Sequence, residues 1–200
     1  MSRATTRLVP FAVTEEALKL LHSTHADFGR LPDPGTRGRV RASGPGVLGG
    51  YNFVQVRAQS EYLRLVSIVE AFVDSTASEL FEVKTRGLDA LVALMAEVVV
   101  EQASNGWDDR KSAFNRYHGV TLGNCAKYSD IDAAVVVRNS IAHGLGSLTR
   151  RQRNSKDRAK VTGVGVALHG NQLVIDDAAL DRCARSCAAF IEDVDRNIPR

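Results

Sequence analysis

Ile131-Asp132-Ala133-Ala134-Val135-Val136-Val137-Arg138-Asn139-Ser140-Ile141-Ala142-His143-Gly144 is the stretch from which the fold is read. Ile131, Ala134, Val135, Arg138, Ile141 and Ala142 fall at offsets 0, 3, 4, 7, 10 and 11, the spacing of a helix face that is buried. Ala133, Val136 and Val137 make the other faces apolar as well. Ser129, followed three residues later by Asp132, resembles a capping box, and Gly144 is the residue type that commonly closes a helix in the left-handed conformation. Arg138 therefore interrupts an apolar stripe. A guanidinium there is costly to desolvate and needs an anion, either a protein carboxylate such as Glu70 or Asp74 or a phosphate. His143 falls at or just past the last turn, where the negative end of the helix dipole favours an imidazolium. Asn139, one turn earlier, can hold that ring or contact a ligand.

The same periodicity extends outward on both sides. From about Asn52 to Glu82, Tyr62, Leu65, Val66, Val69, Phe72, Val73, Thr76 and Leu80 recur near 3.6 residues with no proline or internal glycine, which predicts one long amphipathic helix. After Gly87, the residues Leu88, Leu91, Val92, Met95, Val98 and Val99 predict a second helix ending near Gly106, and a short one follows at about Asp108 to Tyr117. Downstream, Val161 to Leu168 and Gln172 to Ile175 are β-prone segments around Gly170-Asn171, the pattern of a hairpin. Asp176 or Asp177 caps a final helix with the stripe Leu180, Cys183, Cys187, Phe190, Ile191 and Val194. The expected fold is mainly α, a helical bundle with a small β-hairpin before the C-terminal helix.

Residues 1–50 differ in texture. Seven glycines and three prolines between Gly29 and Gly50 break helices and strands, so this part reads as a basic Gly/Pro-rich arm, with one short helix at about Thr14 to Ser23 capped by Thr14. The helical domain is expected over residues 51–200.

Two hundred residues suffice for one core and one site. The 44% apolar and 24% charged shares are those of an ordinary globular domain, which argues against general disorder. The run Leu88 to Val100 is too short to cross a bilayer and is broken by Asp89 and Glu97, and no apolar core of a secretory signal is present, so no membrane role and a cytoplasmic location are expected. Cys125, Cys183 and Cys187 are too few for a disulfide framework and have no zinc-finger spacing; small core residues are the expectation, with no metal and no cofactor.

The net charge of +3 conceals local clustering. Arg150, Arg151, Arg153, Lys156, Arg158 and Lys160 stand against the single acid Asp157, in what reads as a loop, and Arg30, Arg37, Arg39 and Arg41 form a second cluster. Such clusters attract polyanions, RNA among them, through counterion release. The frameworks of P-loop enzymes, zinc proteases and serine hydrolases are missing. His22 and His25 read as surface histidines without an acidic partner, and His118 and His169 sit in turn-like contexts.

Val137 to Gly144 resembles the Arg-Asn-x-x-x-His signature of the HEPN superfamily. The long helix with Ser67-Ile68-Val69-Glu70-Ala71-Phe72, the approach Tyr128 to Asp132 and the closing hairpin and helix are similar to prokaryotic HEPN proteins of toxin and defence systems, over about Asn52 to Ile198. Val137 departs from the acidic or polar residue that many members carry before the arginine. The resemblance implies a HEPN-like bundle and metal-independent endoribonuclease activity at a homodimer interface, with Arg138, His143 and Asn139 catalytic. It also implies 2′,3′-cyclic phosphate products and an antitoxin or defence-complex partner. Arg150, Arg151, Arg153, Lys156 and Arg158 are placed to guide the RNA backbone. The alternative is an inactive HEPN-like scaffold or RNA-binding subunit.

Overall fold

The structure, a computed structural model, describes residues 11–30 and 53–199. Helix α2 (Phe53–Thr85) is the axis on which the other elements pack. Its 33 residues span about 50 Å at 1.5 Å per residue, and Tyr62, Leu65, Val66, Val69, Phe72 and Val73 are all buried. Helix α1 (Ala12–Arg30), helix α5 (Tyr128–Gly144) and helix α7 (Asp177–Asn197) pack against it. The remaining elements are α3 (Ala90–Ala103), α4 (Trp107–Ala113), α6 (Ser155–Gly163) and the antiparallel hairpin of β1 (Ala167–His169) and β2 (Gln172–Val174). The fold is mainly α with a small hairpin before the C-terminal helix, and no helix among the described residues is long and apolar enough to cross a membrane.

Helix α7 follows its sequence pattern closely. Asp176 accepts a hydrogen bond from the Ala179 amide at 2.8 Å, and Leu180, Cys183, Cys187, Phe190, Ile191 and Val194 are buried. Cys183 and Cys187, with sulfurs 3.9 Å apart, are free core thiols, as is the buried Cys125. In the hairpin, Leu168 pairs with Leu173 and His169 with Gln172 across Gly170, whose φ of 62° suits a residue without Cβ.

Several boundaries differ from the periodicity. Helix α1 runs on to Arg30 instead of ending at Ser23, and Thr14 lies inside it. The Thr14 hydroxyl donates to Asp195 of α7 at 2.8 Å, and Ala17 and Leu21 join the core. This helix is thus part of the bundle. The rest of the expected arm, residues 1–10 and 31–52, lies outside the described residues, and with it Arg37, Arg39 and Arg41. The segment after Arg150 is not a loop: Arg150–Gln152 is a short 3-10 turn, and Asn154 caps α6 by accepting from the Asp157 amide at 2.9 Å. Val161 consequently belongs to α6 rather than to a strand, and Lys160 pairs with Asp132 of α5 at 2.6 Å. The Ser129–Asp132 capping box is not formed, since α5 starts at Tyr128 behind Lys127 in the left-handed conformation, with no side-chain cap.

Two histidines are also placed differently from the expectation. His25 ties three helices, 2.9 Å from Asp181 and 3.6 Å from Glu61, whose carboxyl burial pushes up in spite of the histidine beside it. His118 ends a π-helical turn, Phe114–His118, that continues α4. The extra residue per turn brings both Phe114 and His118 inward. His118 is 5% exposed, packed edge-on against Phe81 at 4.7 Å and near Phe114 at 5.5 Å, with no hydrogen-bond partner for either ring nitrogen among the described residues.

Burial, and secondarily the charge of Lys84, lowers the His118 pKa from 6.5 to about 4. The unfolded chain therefore binds more protons than the folded one between those values, and stability falls as pH drops from about 6.5 to about 4. Urea titrations across this window should show His118→Leu losing about 3 kcal/mol less than the parent. Equal losses would mean that the ring is not held neutral.

Candidate functional site

Helix α5 carries the Arg138–His143 segment and is enclosed over most of its length: Ile131, Ala133, Ala134, Val135 and Val137 are buried. Arg138 is the position at which this apolar surface meets a charge. Its side chain is 30% exposed, and Nη2 lies 3.2 Å from Oε2 of the buried Glu70. Nη1 donates to Asn139 Oδ1 at 3.0 Å, while Nε is buried with no hydrogen-bond partner among the described residues. Of the two kinds of anion the sequence allowed, the one present is a protein carboxylate.

Glu70 does not serve Arg138 alone. Its Oε1 lies 3.9 Å from Nη1 of Arg110 on α4, and Arg110 grips Asp74 with two parallel bonds of 2.8 and 2.7 Å. Two cations and two carboxylates thus alternate from α5 across α2 to α4. The hydrogen bonds that Arg110 donates to Asp74 push its pKa further above its ordinary range, against the opposing effect of burial. In a partly dry setting, removing any member of such a chain leaves its neighbour's charge uncompensated.

The final turn of α5 is anchored by a polar knot. The buried Ser140 hydroxyl contacts the Val136 carbonyl and Gln152 Oε1, both at 3.0 Å. Gln152 Oε1 also accepts from the Thr149 amide at 3.0 Å and hydroxyl at 2.7 Å, while Nε2 donates to the Val136 carbonyl at 2.9 Å. The chain then leaves the helix through Leu145, which is in the left-handed conformation at φ 50°, rather than through Gly144, which is still helical. Gly146 follows at φ 79°, and a Cβ there would lie 2.3 Å from Gln59 Nε2, so no other residue fits without moving that side chain. The Leu148 amide donates to the Asn171 carbonyl and the Leu173 amide to the Gly146 carbonyl, both at 2.8 Å, which ties the exit to the hairpin.

His143 is exposed, and no side-chain hydrogen bond or ion pair holds it among the described residues. Asn139, expected as a possible holder of that ring, turns to Arg138 instead. Five residues along a helix amount to one turn plus about 140°, so within one chain Arg138 faces α2 while His143 faces solvent. Leu145, 69% exposed, lies beside it in sequence.

The basic segment divides into two groups. Arg158 donates to the Gly170 carbonyl at 3.0 Å and to Asn171 Oδ1, Arg153 to the Leu148 carbonyl at 3.3 Å, and Lys160 is paired with Asp132. These three hold α6, the hairpin and the α5 exit together. Arg150, Arg151 and Lys156 are exposed, with no side-chain partner among the described residues. The Thr149–Gln152 spacing of this segment is a legible capping box, formed here. Nothing in the sequence marks Arg110 as the third member of the charge chain.

Removing the Gln152 amide strands the buried Ser140 and Val136 groups. Gln152→Ala should lower the unfolding free energy by about 1–3 kcal/mol, and Thr149→Ala by less, in urea titrations followed by circular dichroism. A neutral Gln152→Ala would show that the knot does not hold the helix end. Compared with protein-family models, curated proteins and solved structures, the chain matches none.

Proposed function

We propose that the protein is a metal-independent endoribonuclease of the HEPN type, acting as a toxin or defence effector. The observation that supports this reading most directly is the pairing of a half-buried Arg138 with an exposed, unengaged His143 at the end of one helix, ahead of three unengaged bases. RNA supplies its own nucleophile. The ribose 2′-OH attacks the adjacent phosphorus and the bond to the 5′-oxygen breaks, leaving a 2′,3′-cyclic phosphate and a 5′-OH. A histidine takes the 2′-OH proton or protonates the departing 5′-oxygen, and a guanidinium stabilises the charge on the five-coordinate phosphorus.

In this reading the scissile phosphate competes with Glu70 for Arg138, whose Nε–H has no partner among the described residues. Arg138 and His143 point to different sides of α5, so one chain presents half a site and a homodimer completes it. Arg150, Arg151 and Lys156 bind the RNA backbone, whereas Arg153 and Arg158 serve the fold. Asn139 keeps the Arg138 guanidinium in place. An antitoxin or defence-complex partner would restrain the activity.

Purified protein should cut single-stranded RNA in EDTA, leaving cyclic phosphate ends. Arg138→Ala and His143→Ala should each reduce cutting by about 10²-fold or more with unchanged circular dichroism. Full activity in both variants would rule the site out. A second reading, an inactive RNA-binding subunit, draws support from the neutralisation of Arg138 by Glu70. It requires that no RNA be cut while binding persists.

Replacing Arg150, Arg151 and Lys156 together by alanine should weaken single-stranded RNA binding and flatten the log Kd against log salt slope by about 2. An unchanged slope would place the RNA elsewhere.

A further inference from the structure

Helix α3 is built inside out. The half-buried side that meets α2 and α4 is made of Ala93, Ala96, Val99, Val100 and Ala103. Its bulky residues point the other way. Leu91, Val92, Leu94, Met95 and Val98, with Leu88 just ahead of the helix, are all exposed, Leu91 by 64% and Met95 by 62%, and no residue of the helix is buried. A surface helix ordinarily turns its large apolar residues to the core and polar ones to water.

The area of this face is informative. Each of these side chains leaves on the order of 100 Å² accessible, so together they offer on the order of 500 Å² of apolar surface. A standard interface buries about 800 Å² on each partner, of which roughly 60% is apolar. The face therefore supplies nearly all the apolar area that one side of a stable dimer requires.

The charges on the same helix select the occupant and its direction. Asp89, just before the start of α3, is engaged as its N-cap, and the unengaged charges are Glu97 and Glu101 in the C-terminal half of the helix and Arg86 ahead of it. All three are exposed and have no side-chain partner among the described residues. Parallel pairing would set these glutamates against their own copies. Antiparallel pairing separates the glutamates and brings Glu101 of one helix to the end of the other that carries Arg86 beside the N-cap Asp89.

We propose that α3 is a self-association surface, through which two copies of the chain pack antiparallel across a two-fold axis near Leu94 and Met95. Leu91 of one copy then lies against Val98 of the other, and Glu101 of one approaches Arg86 of the other. The interface is isologous, each patch meeting its own copy. It contains none of the residues from Arg138 to His143, so it stands independently of the proposed ribonuclease activity, and an inactive protein that dimerises this way leaves it intact.

Light scattering after size exclusion should show the full chain at twice the mass of the Leu94→Glu with Met95→Glu variant, whose circular dichroism should be unchanged. Arg86→Glu should raise the dimer Kd several-fold, and adding Glu101→Lys should restore it. Leu94→Cys should form an intermolecular disulfide on oxidation, with little background because the native thiols are buried. A chain monomeric at tens of micromolar would overturn the proposal, as would a dimer indifferent to the Leu94 and Met95 changes. A monomer whose Met95→Cys thiol resists labelling would assign the face to another occupant and overturn it equally.

Discussion

The carboxylate of Glu70 is the constraint around which the candidate site is arranged. It sits on the most buried part of α2, where an unpaired charge would be expensive, and it is balanced from two directions by Arg138 and Arg110. That balance fixes the angular position of α5 on α2 and, through Asp74, that of α4. The apolar surroundings specify that these helices touch, and the charge chain specifies in which register.

Arg138 and His143 owe their different states to this arrangement. Arg138 is drawn inward because its face of α5 is the one that meets α2. His143 lies beyond the point where α6 and the hairpin cover the helix, and the Ser140–Gln152–Thr149 knot stops the last turn from fraying around it. Half of the neighbouring basic cluster, Arg153, Arg158 and Lys160, is engaged within the fold, leaving Arg150, Arg151 and Lys156 for an external anion. Charge density in a sequence thus overstates the charge available at a surface.

Helix α3 shows the converse limit of pattern reading. Its hydrophobic spacing is that of an ordinary core helix, yet the small residues face the chain's own core and the large ones face away. Periodicity locates the stripes on a helix, but only the neighbours decide which stripe is covered.

The sequence by itself determined the fold class and the place of most of the main elements, because long apolar repeats at 3.6 residues and the Gly-Asn turn leave few alternatives. The cap at Asp176 and the stripe of α7 were legible for the same reason, being local. The placement of Arg138, Asn139, Ser140 and His143 on one helix end was legible too. Only the tertiary structure decided where α1 stops, that residues 155–163 are helical, and that Leu145 rather than Gly144 makes the left-handed turn. It also decided that Asn139 serves Arg138, that Arg110 shares Glu70, and that His25 and His118 are held by groups far away in sequence. Each of these depends on contacts across many residues, where packing and charge compensation override local preference.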